Sequence, residues 1–287
     1  MTEFHLRKKN IFITGGSMGL GLAAAKQCLQ REANVFLCAR HEEALQKAIE
    51  SLRQEGFSQV SGCVTDVTEE SQIENALNLF ESQFGPLHGT IHAAGVYGTI
   101  GSITEVDPKE WLQGVHINLF GSFLVARQSC KRWKKQNGGK LVLFSGGGAA
   151  TPFPNYTSYA CSKAAVVRFT ETIAQEMAPY HIEVNCIAPG FVITRLHEQT
   201  LNAQEKAGAE FVEKTKQEVD RGGVPIELGA SAAAFFVSDA SRGITGKFIA
   251  APYDTWKEFP QRIKELKESD LFTLRRIIPK DRGLSWQ

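Results

Sequence analysis

The chain has 287 residues, with 32 basic and 31 acidic side chains. This length suits one α/β domain with additions, and the near balance of charge argues against a nucleic-acid or anionic-membrane partner. No apolar run approaches the roughly 18–20 residues that span a bilayer, and the first ten residues lack the apolar core of a secretory signal. The six cysteines show no metal-ligand spacing. We therefore expect a cytoplasmic protein with buried free thiols and no metal site.

Strand-like and helix-like segments alternate from residue 10 to about residue 250. The strand-like segments are short apolar runs, as in parallel strands that are covered on both faces. They are Ile11–Thr14, Val35–Ala39, Gln59–Val64, Gly89–Ala93, Lys140–Ser145, Glu183–Ala188 and Lys247–Ala250. The helical segments are Leu20–Arg31, Glu42–Glu55, Glu69–Phe84, a long region within Pro108–Lys135, Tyr159–Ala178 and Pro225–Ser238. This alternation predicts an α/β fold with a doubly wound parallel sheet of the Rossmann type, in a single domain over residues 1–251.

Two segments interrupt this alternation. The polar, helix-prone stretch after Thr194 follows the sixth strand, and we expect a substrate lid there over about residues 195–223. The C-terminal extension, residues 252–287, combines charged with bulky apolar residues and fits either a docked helical extension or a mobile arm. The early lid side chains are candidate substrate contacts, with a solvated helix face as the alternative: Arg195, His197, Glu198 and Gln199.

A glycine-rich turn joins the first strand to the first helix, with the sequence Thr14-Gly15-Gly16-Ser17-Met18-Gly19-Leu20-Gly21. Glycines at such a turn permit a tight bend and let a pyrophosphate approach the backbone at the helix N-terminus. A turn without a ligand is the alternative, but the strand and the helix both lie where a dinucleotide-binding motif requires them. We therefore predict cofactor contacts from Gly15, Ser17, Met18, Gly19, Leu20 and Gly21.

Tyr159 and Lys163 lie four residues apart on a predicted helix and therefore share one face. A free tyrosine has a pKa near 10, and a neighbouring positive charge lowers that pKa towards the range in which a general acid or base works efficiently. The spacing alone is a weak signal. It gains weight here because the glycine-rich turn lies upstream in the same predicted domain.

The chain resembles the compact single-domain branch of the short-chain dehydrogenase/reductase family in two motifs. These are Thr-Gly-x-x-x-Gly-x-Gly at residues 14–21 and Tyr-x-x-x-Lys at residues 159–163. The resemblance covers roughly residues 8–250. It implies an oxidoreductase that interconverts a secondary alcohol and a ketone, with a nicotinamide cofactor and a small-molecule substrate. It also implies a homodimer or homotetramer.

The resemblance further implies roles for single residues. Tyr159 would be the general acid or base, Lys163 would bind the nicotinamide ribose and lower the Tyr159 pKa, and Asn118 would hold a water in a proton relay. The remaining implied cofactor contacts are Asp66, Val67, Ala94, Gly95, Pro189, Gly190, Val192 and Thr194. The implied substrate contacts are Gly146, Phe153 and Phe191.

The choice between the two nicotinamide cofactors depends on the end of the second strand, Cys38-Ala39-Arg40. An acid at this point binds the ribose 2′-hydroxyl of NAD, whereas an arginine accommodates the 2′-phosphate of NADP. Arg40 offers an always-charged, bidentate partner for that phosphate, with an ordinary surface arginine as the alternative. Many NADP-preferring relatives carry a second base in the glycine loop, where this chain has Ser17-Met18. We expect NADP(H), and NAD(H) stays the other option.

The chain departs from the family at the serine that precedes the tyrosine, because the thirteenth residue before Tyr159 is Gly146. We favour Ser145 in the serine role, reached by a one-residue slip of the flexible glycine run. Backbone N–H groups of Gly146–Gly148 are a second option. If neither stabilises the substrate oxygen, the protein is a nucleotide-binding sensor with little chemistry. His92 replaces a family asparagine, and we expect it to be structural.

Overall fold

The computed structural model describes residues 4–286, apart from the side chains of residues 195–197. Its strands are β1 Asn10–Thr14, β2 Asn34–Ala39, β3 Val60–Val64, β4 Gly89–His92, β5 Gly139–Phe144, β6 Ile182–Ala188 and β7 Phe248–Ala250. They form one parallel sheet in the order β3-β2-β1-β4-β5-β6-β7. The predicted α/β fold class is confirmed, and each predicted strand lies within a residue or two of an observed one.

The α-helices of the described residues are α1 Gly19–Leu29, α2 Glu42–Gln54, α3 Glu70–Phe84, α4 Pro108–Val115, α5 Gly121–Gln136, α6 Thr157–Met177, α7 Arg195–Ala203, α8 Ala209–Asp220, α9 Ile226–Phe236 and α10 Ile263–Glu268. One face of the sheet packs against α1, α2 and α9, and the other against α3, α5 and α6. Within residues 4–286, no helix has the length and apolar character needed to cross a membrane.

The two core clusters explain why the strands read as continuous apolar runs. On β1, Ile11 and Ile13 belong to the cluster on one face, while Phe12 belongs to the cluster on the other, and all three are fully buried. Successive side chains of a strand point to opposite faces. A strand with helices on both faces is therefore mostly apolar along its length.

The predicted helical region within Pro108–Lys135 is interrupted in the structure by a π-helical segment, His116–Phe120. Asp107 is the N-cap of α4, and its carboxylate accepts hydrogen bonds from two backbone N–H groups of the first turn. The Ser122 hydroxyl of α5 donates to the carbonyl of Asn118 in the π segment over 2.6 Å. Such segments are frequent at functional sites, and this one carries the buried Asn118.

The C-terminal extension is docked on the domain, which decides between the two alternatives left by the sequence. Trp256, Phe259 and Leu266 are buried in the same core cluster as α1 and α9. Beyond them, the Phe272 carbonyl accepts a hydrogen bond from the Phe248 nitrogen over 2.8 Å. The extension therefore lies against the edge strand β7 at Phe248.

The cysteines are all free, as expected, but their burial differs from the prediction. Cys28, Cys38 and Cys186 are buried, whereas Cys63 is partly exposed and Cys161 is exposed. The prediction of buried thiols is therefore wrong for Cys161. That residue lies on α6, and its position on the outer face of the helix was not visible from the apolar character of its neighbours.

Strand order reverses between β1 and β4, which lie side by side although β2 and β3 separate them in the chain. The loops that leave these two strands turn in opposite directions and open a crevice beyond their carboxyl ends. In open α/β sheets, ligands bind at such a switch point.

Candidate active site

A cavity of about 350 Å³ lies at this switch point, beyond the carboxyl ends of β1, β2 and β4. The predicted cofactor residues that line it are Gly15, Ser17, Met18, Gly19, Leu20, Gly21, Arg40, Asp66, Val67, Ala94, Gly95 and Thr194. Sequence reasoning missed the lining residues Ala39, His41, Thr65, Ala93, Val96, Ile117 and Ile193. These residues are neighbours in the chain of predicted residues, so the cavity lining extends the predicted segments by single positions.

The glycine-rich turn is packed too closely at two of its glycines to accept a side chain. A Cβ atom added to Gly15 would lie 2.6 Å from the Ala94 nitrogen, and its φ of +67° also disfavours other residues. A Cβ atom added to Gly21 would overlap the Gly15 carbonyl oxygen. The N-cap residue of α1, Met18, has no side-chain cap for the first N–H groups of the helix. This cradle therefore fits a pyrophosphate.

The end of β2 brings Arg40 and His41 into the wall of the same cavity. Among the described residues that line it, Asp66 is the one acid. Its carboxylate accepts hydrogen bonds from the Thr68 nitrogen over 2.9 Å and the Thr68 hydroxyl over 2.8 Å. The wall at the end of β2 therefore presents a guanidinium, which suits an anionic group, and the Asp66 carboxylate belongs to the same lining.

The predicted lid comprises α7, a 3-10 turn and α8, and its root contributes the roof of the cavity. Thr194, the N-cap residue of α7, lies 3.8 Å from the Cβ position of Gly19 in the glycine loop. The two ends of the lid are joined because the Val224 nitrogen donates to the Phe191 carbonyl over 2.7 Å. The described residues Pro189, Gly190 and Val192 shape this root without lining the cavity. The side chains of Arg195 and His197 lie outside the described residues.

Tyr159 and Lys163 are both buried on α6, on one face of the helix as predicted. The Lys163 ammonium donates to the Phe144 carbonyl over 2.8 Å and lies 5.6 Å from the centre of the Tyr159 ring. Burial lowers the pKa of Lys163 to about 8. Burial also raises the pKa of Tyr159 above its usual value. The lowered Tyr159 pKa expected from the sequence is therefore wrong for the protein alone, because desolvation of the phenol outweighs the nearby charge.

Asn118 ties the segment after β4 to α6. Its side chain exchanges two hydrogen bonds with the backbone of Val96, over 2.9 and 2.8 Å, and donates to the Ser162 hydroxyl over 3.0 Å. A Cβ atom on Gly95 would lie 3.2 Å from the Asn118 Oδ1 and 3.5 Å from the Lys163 Nζ. The amide and the ammonium thus converge at Gly95, which lines the cofactor cavity.

Ser145 and Gly146, which follow β5, face different surroundings. The Ser145 hydroxyl is buried and donates to the Lys163 carbonyl over 3.1 Å, so it faces the backbone of α6. A Cβ atom added to Gly146 would fall far inside van der Waals contact with the Tyr159 hydroxyl, whereas one added to Gly147 would meet only the Phe153 ring at 4.0 Å. The Tyr159 hydroxyl therefore occupies the space that a side chain at position 146 would take.

Tyr159 belongs to an aromatic cluster whose other members are Tyr97, Phe153, Tyr156 and Phe211. Phe153 stacks on Tyr156 at 4.3 Å, and Phe211 of the lid contacts the Phe153 ring edge-on at 4.9 Å. Tyr97 meets the Tyr159 ring edge-on at 4.8 Å. These contacts close α8 over the predicted substrate side of Tyr159.

A hydrogen bond adds to this closure, from the Tyr156 hydroxyl to the Thr200 hydroxyl of α7 over 2.8 Å. Sequence reasoning missed Tyr97, Thr200 and Phe211. One signal could have indicated Phe211, because Phe211-Val212 is an apolar pair within the otherwise mostly polar helix α8. Nothing in the sequence pointed to Tyr97 or Thr200, because their partners are distant in the chain.

His92 ends β4 beneath the cavity, and it is buried. Its Nδ1 lies 2.7 Å from the Thr14 hydroxyl, while its Nε2 has no hydrogen-bond partner among the residues that the structure describes. Burial, with a smaller effect of the Lys163 charge, lowers the pKa of His92 to about 3. The ring is therefore neutral at pH 7, which suits the structural role expected for it.

The switch-point cavity, the glycine cradle and the adjacent tyrosine–lysine pair define a dinucleotide-binding class of α/β oxidoreductase. The model of the short chain dehydrogenase family matches residues 9–205. The Sus scrofa protein "Dehydrogenase/reductase SDR family member 4" is 29% identical over 244 residues, which cover 85% of this chain and 86% of that protein.

Two solved structures are similar to the fold. NAD+-bound xylitol dehydrogenase has a TM-score of 0.78 and 26% identity, and the match covers 85% of this chain and 97% of that chain. Gluconate 5-dehydrogenase from Burkholderia cenocepacia, in complex with NADP and tartrate, has a TM-score of 0.76 and 26% identity, over 86% of this chain and 95% of that chain. The chain belongs to the short-chain dehydrogenase family. It is accordingly an oxidoreductase with an NAD(P)-binding fold that acts on alcohol or ketone groups.

Proposed function

We propose that the protein is an NADP(H)-dependent oxidoreductase that interconverts a secondary alcohol and a ketone, with Tyr159 as the general acid or base. The observation that carries the proposal is the convergence of the Lys163 ammonium and the Asn118 amide at Gly95, in the wall of the cavity. This convergence supports a role for the Tyr159 helix beside the proposed cofactor cradle. A sensor that binds nucleotide without chemistry has no need of that arrangement.

The residues present fit a nicotinamide dinucleotide. The glycine-rich turn and the uncapped start of α1 would hold the pyrophosphate, and Lys163 would bind the nicotinamide ribose. Arg40 would bind a 2′-phosphate, because its guanidinium forms paired hydrogen bonds with such a group. The bound nicotinamide supplies the hydride for reduction or accepts it in oxidation.

The protonation state of Tyr159 favours reduction at neutral pH. Because burial raises the pKa of Tyr159, its phenol carries a proton at pH 7 and can donate it to the substrate oxygen. Oxidation requires the phenolate, so the oxidation rate is expected to rise with pH. Lys163, whose pKa is about 8, can gain or lose a proton in the same range.

We assign stabilisation of the substrate oxygen to backbone N–H groups of Gly146–Gly148, in place of Ser145. The Ser145 hydroxyl already donates to the Lys163 carbonyl. Main-chain donors aimed at a developing charge stabilise it without the cost of reorganising a side chain. The proposed substrate contacts are Gly146, Phe153 and Phe191, beside the aromatic cluster.

Replacement of Tyr159 tests the proposal. Tyr159→Phe should lower kcat by a factor of roughly 10²–10⁴, because it removes the acid and keeps the ring. Tyr253→Phe is the control, since Tyr253 is 78% exposed. Turnover is followed by nicotinamide absorbance with a panel of ketones and alcohols, and cofactor binding by fluorescence. Retained turnover in Tyr159→Phe contradicts the proposed role, and cofactor binding without turnover in the unaltered protein supports the sensor.

Replacement of Arg40 tests the cofactor preference separately. Arg40→Asp should lower kcat/KM for NADPH relative to NADH by at least about tenfold, because a hydrogen-bonded charge pair is lost and a like charge replaces it. Arg276→Asp, at an exposed position of the C-terminal extension, makes the same charge change away from the cavity. An equal ratio in both variants would show that Arg40 does not set the cofactor preference.

We further propose that the protein forms a homodimer or homotetramer. Phe120 and Phe123 are each 41% exposed and stack at 5.9 Å, and Phe123 also contacts Phe169 of α6. Such an aromatic patch on adjacent helices favours association over exposure to water. Light scattering measures the mass in solution, and a monomer at micromolar concentration contradicts this proposal.

A further inference from the structure

Two cysteines face each other across neighbouring strands. Cys38 of β2 and Cys63 of β3 are register partners in the parallel ladder. Both belong to the core cluster on the same face of the sheet, so their side chains point the same way. Neighbouring strands lie about 4.7–4.9 Å apart, which falls within the range of Cα separations that disulfides span.

The residue before Cys63 allows an especially close approach of the two strands. Gly62 is the register partner of Leu37, and a Cβ atom added to it would meet the Leu37 carbonyl group and lie 3.2 Å from the Leu37 Cβ. Any other residue at position 62 would push β3 away from β2. The glycine therefore favours a short distance between the two thiols.

The two thiols differ in exposure and in acidity. Cys63 is partly exposed, and its Sγ lies 3.5 Å from the Thr65 hydroxyl, whereas Cys38 is fully buried. Hydrogen bonds from the Cys38 thiol and then from Thr65 lower the pKa of Cys63, while burial raises the pKa of Cys38. The accessible sulfur is thus the better nucleophile, and the buried one is placed to react second.

We propose that Cys38 and Cys63 form an oxidation site, at which hydrogen peroxide produces a disulfide that weakens cofactor binding. Three observations support this proposal: the strand register, the position of both cysteines on one face of the sheet, and the close approach of the strands at Gly62. It stands apart from the catalytic proposal, because neither cysteine belongs to the Tyr159 helix.

The reaction balances in two steps. The Cys63 thiolate attacks one peroxide oxygen, the O–O bond breaks, and a sulfenic acid forms while hydroxide leaves and takes up the proton lost by the thiol. The Cys38 sulfur then attacks the Cys63 sulfur, the S–S bond forms, the S–O bond breaks, and the thiol proton leaves with the second water. Two thiols and one peroxide give one disulfide and two waters, with peroxide as the oxidant.

The backbone around the pair supports the cofactor cavity. The Cys38 carbonyl accepts a hydrogen bond from the Gly16 nitrogen of the glycine loop over 3.1 Å. The Ala39 carbonyl accepts one from the Thr65 nitrogen over 2.9 Å, and Ala39, Arg40 and Thr65 line the cavity. Closing the disulfide draws the two Cβ atoms closer than the strand spacing, and this displacement reaches both the glycine loop and Arg40.

Peptide mapping tests the site without a variant. Trypsin places Cys38 in residues 32–40 and Cys63 in residues 54–109, since neither segment has an internal lysine or arginine. After peroxide treatment and alkylation, we expect a cross-linked pair of these peptides, two hydrogen masses lighter than their sum, that dithiothreitol separates. Peroxide treatment that leaves both peptides uncross-linked while Cys161 is oxidised overturns the proposal.

Variants and binding complete the test. Cys63→Ser should lose the cross-link, whereas Cys161→Ser, which removes the exposed thiol, should retain it. The dissociation constant for NADPH should rise at least about threefold on oxidation and return after dithiothreitol. An unchanged constant in the cross-linked protein overturns the coupling to the cofactor. If Cys63→Ser does not fold, trapping the sulfenic acid of the unaltered protein with dimedone identifies the first cysteine to react.

Discussion

The two halves of the candidate site differ in whether backbone or side chains form them. The cofactor half is an open cavity whose cradle consists of glycine backbone and a helix terminus. The proposed substrate half contains Tyr159 in an aromatic cluster that is drawn from separate parts of the chain. A backbone cradle is visible in the sequence, because glycines at this spacing between a strand and a helix are typical of a dinucleotide-binding turn. An enclosure built from side chains is not visible in the sequence, because each of its residues has the same apolar character as an ordinary core residue.

The strongest expected effect lies in the cofactor half. Gly15→Ala should lower the free energy of unfolding by about 3–5 kcal/mol and abolish measurable NADPH binding, since it adds a backbone clash to a disfavoured φ. Gly56→Ala is the matched control, with a φ of +96° and nothing within 4 Å of its Cβ position. We expect it to lose only about 1–2 kcal/mol and to bind NADPH normally. Urea unfolding and fluorescence titration measure both, and equal losses would contradict the clash.

The next effect tests His92 at the boundary between the halves. The folded pKa of His92 is about 3, below the unfolded value of about 6.5, so the unfolded state binds the extra proton between these values. Stability is therefore lost as the pH falls through that window, by about 2–3 kcal/mol between pH 7 and pH 4.5.

His92→Asn should remove this part of the pH dependence, measured as the change in unfolding free energy between the two pH values. His181→Asn is the control, because His181 is exposed and its left-handed backbone suits asparagine. An identical loss of stability on acidification in the His92 variant and the unaltered protein shows that His92 is not the group responsible.

The smallest effect probes the substrate half alone. Gly146→Ala should lower kcat at least about tenfold, because the added methyl group displaces the Tyr159 hydroxyl, and overpacking of this kind costs about 1–3 kcal/mol. Gly147→Ala should change kcat little, since its Cβ position meets only a ring atom at 4.0 Å. NADPH binding should stay the same in both. A rise in kcat for Gly146→Ala, or equal effects in the two variants, would show that the hydroxyl does not depend on this space.

Much of the fold was predictable from local pattern. The strands are mostly apolar on both faces because helices cover both sides of the sheet, so runs such as Ile11–Thr14 identified them directly. The break at His116–Phe120 was not predictable, since a π-helical segment has no distinct composition. Docking of the extension through Trp256 and Phe259 was equally hidden, because bulky residues in a charged tail fit more than one arrangement.

The site divides in the same way. The glycine turn and Arg40, which the sequence singled out, line the same cavity, and Tyr159 and Lys163 lie on one face of α6. The direction of the Ser145 hydroxyl depends on its proximity to the Lys163 carbonyl, eighteen positions further along the chain. The raised Tyr159 pKa likewise depends on how completely the ring is buried, and spacing alone does not report burial.

The sequence by itself determined the family, the sheet and the cofactor cradle, because these depend on the order of short local motifs. Only the tertiary structure decided what surrounds the Tyr159 hydroxyl, which cysteines face each other across neighbouring strands and where the extension lies. The physical reason is that hydrogen-bond direction, desolvation and strand register arise from contacts between residues far apart in the chain. The close approach of Cys38 and Cys63, from different strands, is the plainest case.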